Sequence, residues 1–298
     1  MPIRVKLSPG LRARIADQIE RGAPTESMIE ELVARSFEPG IARSVVEAFV
    51  RARAVGQSLP EDEVRLDGEA PTYRYERPRI APGPLIRAHD RDIRVLQRLT
   101  SPVVALLERV LSDTECAQLI EMARPRLQRS TVLDPASGKH AAVERRSSDG
   151  MFFRLRENPL IETLDERLAA IMNTPAEHGE GLQVLHYRPG GQYPPHFDFL
   201  TPSNRASAES IARSGQRVST LIVYLNDVLE GGETIFPEAG LSVLPRRGLG
   251  LYFEYTNSRM QVDPRSAHGG APVIQGEKWI VTKWMRSRRF VPAGNNAT

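Results

Sequence analysis

The sequence predicts a mainly β protein of the α+β class. Its core is a jelly-roll, or double-stranded β-helix, with flanking helices and a small helical module ahead of it. Three observations carry this. Apolar residues recur at helical spacing over roughly residues 10–57. A proline-containing stretch then interrupts all periodicity. After residue 182 the chain becomes a succession of short apolar runs punctuated by glycine and proline. Many short strands following a pair of helices fit two packed sheets with helices on one face.

Residues 1–57 form the expected helical module. Leu11, Ile15 and Ile19 share one helical face, Ser27 and Glu30 have the spacing of a capping box, and Met28, Ile29, Leu32 and Val33 follow as an apolar stripe. Pro39-Gly40 breaks the pattern, and Ala42, Val45, Val46 and Phe49 begin another face. Residues 58–90, with Pro60, Pro71, Pro78, Pro82 and Pro84, read as a linker or an extended arm. The main domain is expected over 91–292, with a tail at 293–298. PVVALLERVL is a strand candidate. Ser112 and Glu115 give a capping box for a helix that turns Cys116, Leu119 and Ile120 inward, and Pro159 suits the first turn of another. The strand candidates after them are LQVLHY, QYPPHFDF, RVSTLIVYL, GETIFP, LSVLP, GLGLYFEY and KWIVTKWM. Two polar stretches, 132–150 and 199–217, are expected to be mobile loops beside the site.

The 298 residues carry a net charge of +3, with 40% hydrophobic and 26% charged residues, as in an ordinary globular protein. Arginine pairs such as Arg145/Arg146 and Arg246/Arg247 are scattered, which argues against a nucleic-acid surface. A single cysteine, Cys116, allows no intrachain disulfide. The opening residues lack a signal-like apolar core, and no run has the length of a membrane span. The expected setting is cytoplasmic.

Three signals carry chemistry. His196 and Asp198 lie two apart in a strand candidate, so an imidazole and a carboxylate share one face. His268 lies in a glycine-flanked turn. Two histidines and one carboxylate match the facial triad that leaves three positions open on iron(II): two for a chelating 2-oxo acid, one for dioxygen. Lys278 shares a strand face with Ile280, Thr282 and Trp284, and a lysine turned inward calls for an anion such as the distal carboxylate of 2-oxoglutarate. Lys283 falls on the other face and is expected at the surface.

Several motifs together, LSDTECAQLI, RRSSDGMFF, LQVLHYRPGGQYPPHFD, YLNDVLEGGETIFP and HGGAPVIQGEKWIVTKW, make residues 102–287 resemble the prolyl 4-hydroxylase branch of the 2-oxoglutarate- and iron(II)-dependent dioxygenases. The first 90 residues are outside the resemblance. It implies that His196, Asp198 and His268 ligate Fe(II) and that Lys278 binds the distal carboxylate of 2-oxoglutarate. It further implies that Tyr187 and Thr234 contact this co-substrate, that Trp284 lines the site, and that Arg146 and Ser148 face a peptide substrate. Ser147 stands where the family commonly has threonine. The resemblance also implies dioxygen as a substrate and L-ascorbic acid as reductant. The expected activity is hydroxylation of a prolyl residue in a peptide or protein. The alternatives are a hydroxylase of a free amino acid or small metabolite, and a non-catalytic jelly-roll binding module; the complete triad and Lys278 argue against the last.

Overall fold

In the computed structural model, the described residues are 3–35, 37–54, 59–60, 63–66, 73–129, 132–133, 140–141, 147–200 and 205–292. The chain divides into two compact units, Met1–Arg74 with Thr201–Ala208, and Tyr75–Leu200 with Glu209–Thr298. In the first, β1 (Ile3–Lys6) precedes α1 (Pro9–Glu20), α2 (Thr25–Ala34) and α3 (Pro39–Ala54), and β2 (Glu63–Leu66) returns antiparallel to β1. Ser8 caps α1 by accepting from the Leu11 amide. Ile15, Ile19, Met28, Leu32, Val45, Val46 and Phe49 are buried together with Val64 of β2. The capping box expected at Ser27 does not form. The helix starts earlier, at Thr25 behind Pro24, so Ser27 already lies inside its first turn.

The second unit opens with β3 (Leu85–Arg87), β4 (Asp92–Thr100), β5 (Val103–Glu108) and α4 (Asp113–Ala123). β6 (Gln128–Arg129), the paired β7 (Val132–Leu133) and β8 (His140–Ala141), β9 (Ser148–Phe153) and α5 (Pro159–Ile171) come next. Then follow β10 (Leu182–Tyr187), β11 (Tyr193–His196), α6 (Arg205–Ser214) and β12 (Arg217–Tyr224). β13 (Glu230–Gly231), β14 (Thr234–Phe236), β15 (Leu241–Val243), β16 (Gly250–Glu254), β17 (His268–Gly270), β18 (Val273–Gln275) and β19 (Lys278–Arg286) complete the order. The fold is the expected mainly β double sheet. A nine-stranded sheet, β3-β4-β5-β16-β12-β19-β10-β9-β6, faces a four-stranded one, β11-β17-β14-β15.

The large sheet has a core on each face. On one, Cys116 and Leu119 of α4 and Ile161, Leu164 and Leu168 of α5 pack on Val184, Leu221, Trp279, Val281 and Met285. The Ser112–Glu115 capping box starts α4, and Asn158 with Pro159 starts α5, as their spacing predicts. On the other face, Leu185, Tyr187, Ile222, Tyr224, Phe253 and Ile280 meet Phe236 and Val243 of the small sheet. The strand period of two therefore splits β19: Lys278, Ile280, Thr282 and Trp284 point between the sheets, and Trp279, Val281, Lys283 and Met285 point at the helices.

Two expectations are corrected here. Lys283 is not at the surface: it is fully buried, because α5 covers that face and supplies Asp165, whose carboxylate is 2.7 Å from Nζ. Nor is 199–217 a loop throughout. Arg205–Ser214 is helical, since Ala206, Ala208 and Ala212 favour a helix and no breaker intervenes before Gly215. In the other stretch, 134–139 and 142–146 lie outside the described residues. Among the described residues, no helix is long and apolar enough to cross a membrane.

Candidate metal centre

The centre is built where the small sheet ends. β11 contains Pro194 and Pro195, which cannot donate to a ladder, and β11 is accordingly an edge strand paired only with β17. In that pairing His196 stands opposite His268. The approach is close enough to need glycine. A Cβ at Gly269 would sit 2.8 Å from the Tyr193 carbonyl oxygen. The two imidazoles end with ring centroids 4.5 Å apart. His268, expected in a turn, opens strand β17. β11 stops at His196, so Asp198 lies beyond the strand, yet its side chain still turns inward and is 9% exposed.

Each imidazole is held the same way. Nδ1 of His196 lies 3.0 Å from the Pro194 carbonyl oxygen, and Nδ1 of His268 lies 3.1 Å from that of Ser266. A carbonyl only accepts, so both Nδ1 atoms carry a proton, and in the neutral ring Nε2 then presents the lone pair. These lone pairs face Asp198: Nε2 of His196 is 3.5 Å from Oδ1, and Nε2 of His268 is 3.6 Å from Oδ2. Burial pushes His268 down to about 4, against the pull of Asp198. Burial alone would raise the Asp198 carboxyl. His268, His196 and Arg217 outweigh it and hold the group well below the usual carboxylate range. One ligand atom from each residue can be chosen so that all lie within 4.8 Å of one another. Two imidazoles and a carboxylate thus converge on one point, where a single cation could accept a lone pair from each. Two imidazole nitrogens and a carboxylate oxygen are the donor set that suits iron(II).

The second feature is Lys278, opposite Tyr187 in the β10–β19 ladder and 3% exposed. Its Nζ lies 5.6 Å from the ring centroids of both Tyr187 and Tyr224. A Cβ on Gly270, two residues after His268, would be 3.8 Å from it. Among the described residues no hydrogen-bond acceptor or carboxylate pairs with it. Burial pushes it down to about 8, against the field of Glu233. A depression of that size costs the folded chain about 3 kcal/mol below that pH. A carboxylate entering beside Lys278 would remove this cost, so the residue fits an anion receptor. Arg286, the other cation in this strand with a parity to take that role, is already engaged by Glu180 at 2.9 Å.

The other sequence-predicted residues fall around these two features. Thr234, buried, accepts a hydrogen bond from the Tyr224 hydroxyl at 2.7 Å. Trp284 is buried beneath the Arg217 guanidinium, 4.1 Å from its ring centroid, and its Nε1 has no partner among the described residues. Ser148 is buried opposite Tyr187 in the β9–β10 ladder. Arg146 lies outside the described residues. Sequence reading missed Thr220, whose hydroxyl donates to Asp198 Oδ2 at 2.6 Å, and Arg217, which joins Glu180 at 2.6 Å and stacks on Trp284. Both sit in RVSTLIVYL, which reads as a plain apolar strand; nothing local ties it to a carboxylate 22 positions before Thr220.

Comparison with known proteins agrees with this geometry. The model of the 2OG-Fe(II) oxygenase superfamily matches residues 182–286, the span that holds every donor named above. Probable prolyl 4-hydroxylase 3 of Arabidopsis thaliana is 42% identical over 194 residues, 59% of this chain and 66% of its own length. Prolyl 4-hydroxylase 1 of the same plant is 42% identical over 203 residues, 63% of this chain and 70% of its own. The chain thus spans about two thirds of the length of these relatives. A solved structure, a viral collagen prolyl hydroxylase from Paramecium Bursaria Chlorella virus-1 in its 2OG complex, is 27% identical. It aligns over 61% of this chain and 94% of that one, with a TM-score of 0.47. With two histidines, an aspartate and an unpaired buried lysine set between two sheets, and with relatives of this identity, the chain belongs to the prolyl 4-hydroxylase-like 2OG-Fe(II) oxygenases.

Proposed function

We propose that this dioxygenase hydroxylates a prolyl residue within a peptide or protein, with His196, Asp198 and His268 holding Fe(II) and Lys278 holding the distal carboxylate of 2-oxoglutarate. The observation that carries the reading is the pairing of two unfilled demands in one inter-sheet space. Three bare donors call for a cation, and a buried ammonium calls for an anion. When bound, iron(II) and 2-oxoglutarate supply oxidation of an unactivated C–H bond, dioxygen being consumed and succinate and carbon dioxide released. The chain's own residues bind, orient and exclude water. The Pro194 and Ser266 carbonyls keep both imidazoles in the ligating tautomer. Tyr187 and Tyr224 wall the lysine, and Thr234 holds the Tyr224 hydroxyl. Trp284, beneath the Arg217 guanidinium, offers an indole N–H with no partner among the described residues. The peptidyl substrate rests on the relatives, which are named prolyl 4-hydroxylases. Ascorbate as reductant rests on the same resemblance.

The test is succinate formation with proline-containing peptides set against free proline. Peptides are expected to stimulate turnover and free proline not to, and His268→Ala is expected to abolish it with each. Efficient turnover of free proline with inert peptides would replace the peptide reading by a small-metabolite hydroxylase.

A further inference from the structure

Asp198 presents two oxygens to the centre, and they are almost equally placed. Oδ1 is 3.5 Å from His196 Nε2, and Oδ2 is 3.6 Å from His268 Nε2. A carboxylate so placed can bind a cation through one oxygen or through both. The difference matters, because a three-residue site leaves three positions open only if each residue takes one. A carboxylate that chelates occupies a position that the 2-oxo acid or dioxygen needs.

The two oxygens differ in what else they touch. Thr220 is fully buried, and its Oγ1 lies 2.6 Å from Oδ2. That distance falls in the short range of a hydroxyl donating to an anion. A hydroxyl has one proton, so donation to Oδ2 leaves only its lone pairs for other neighbours. The Tyr255 hydroxyl, buried and 3.4 Å away, is placed to donate back to that oxygen. Burial pushes this phenol well above its ordinary range, so it keeps its proton. Apart from the His196 imidazole, which faces Oδ1 at 3.5 Å as a fellow ligand, no side-chain donor stands on Oδ1 among the described residues. Thr220 projects from β12 on the same face as Ile222 and Tyr224, into the space between the sheets. Its branched Cβ restricts the rotamer, which fixes the direction of the hydroxyl.

We infer that Thr220 is a positioning residue that makes Asp198 a one-oxygen ligand, its hydroxyl occupying Oδ2 so that Oδ1 alone is offered to the metal. The inference rests on the iron-centre reading above. It gives the buried threonine a role in keeping a coordination position open for the co-substrate, with no contact to the co-substrate itself.

The experiment uses the full chain loaded with Co(II) in place of iron. Thr220→Val removes the hydroxyl at nearly constant volume, and Thr220→Ser keeps the hydroxyl and drops the methyl. The readouts are the thermal melt of the metal-free protein, the visible Co(II) absorption band and the Kd for 2-oxoglutarate. Thr220→Val is expected to take up Co(II) with an altered band and to bind 2-oxoglutarate about tenfold more weakly, on the scale of lost partners around metal ligands. Thr220→Ser is expected to match the wild type in both. A Thr220→Val protein with the wild-type band and Kd overturns the inference, as does a Thr220→Ser protein that behaves like Thr220→Val. If Thr220→Val does not fold, Thr220→Ala is read by the same criteria. Wild-type affinity for Co(II) in His268→Ala overturns the iron-centre reading and this inference with it. Loss of binding in His268→Ala beside an unchanged Thr220→Val overturns this inference alone.

Discussion

Lys278 and Lys283 lie five residues apart on one strand, and both are buried, at 3% and 0% exposure. They differ in company. Lys283 points at the helices, where its Nζ donates to Asp165 at 2.7 Å and to the Glu180 carbonyl at 2.6 Å. Lys278 points between the sheets and has two aromatic rings and two glycines nearby but, among the described residues, no anion within bonding distance. The first is a closed account of charge inside the fold. The second is left open among the described residues, and a carboxylate entering from outside would close it. Burial and residue type are the same in both cases, so neither marks a binding site. The missing partner does.

The comparison can be broken most forcefully at Lys283. Lys283→Met strands Asp165, 1% exposed, without its counter-charge. Urea unfolding is expected to show a loss of about 3–5 kcal/mol, the range for removing one member of a buried pair. The 2-oxoglutarate KM of the folded fraction should stay at the wild-type value. A loss within error of zero would mean the pair is not closed in solution.

Lys278→Met is expected to do the reverse. Stability should hold or rise, because an unpaired buried ammonium is removed. The 2-oxoglutarate KM should rise about 10- to 100-fold, for the loss of one charge-assisted contact. A melt lowered as far as that of Lys283→Met would reveal a structural partner for Lys278 and erase the contrast.

The smallest effect, and the sharpest in sign, is on pH. Burial pushes Lys278 down to about 8, and a bound carboxylate favours its protonated form. Affinity for 2-oxoglutarate should therefore be level below that pH and decline as pH rises through it, by up to about tenfold per unit. Lys278→Arg, whose guanidinium does not titrate in this range, should abolish the decline. A wild-type profile that stays flat to pH 10 would show that Lys278 does not carry the co-substrate's charge.

The same strand shows how far the sequence could be read. Its period of two assigned Lys278 and Trp284 to one face and Lys283 to the other, correctly. It could not say what covered each face, because Asp165 comes from a helix 118 residues away. Lys283 was for that reason misplaced at the surface. The metal donors were legible by type, and the alternation rule paired His196 with Asp198 although β11 ends at His196 and Asp198 turns inward from beyond the strand. Their convergence with His268 depends on a cross-strand register and on Gly269, which only the folded sheets specify. The helix at 205–214 was missed because its polar residues resemble a loop while its alanines carry the propensity. β1 and β2 were missed because they are a long-range pair with all three early helices between them.

The two histidine anchors have a consequence for mutational tolerance. In each, the proton on Nδ1 is received by the carbonyl two positions earlier in the same segment. A main-chain oxygen is present whatever side chain stands at position 194 or 266. No point substitution deletes either acceptor, as it would delete an aspartate or asparagine in that place. The orientation of both imidazoles is thus inherited with the local backbone path, and drift in the surrounding shell can proceed without flipping a ring.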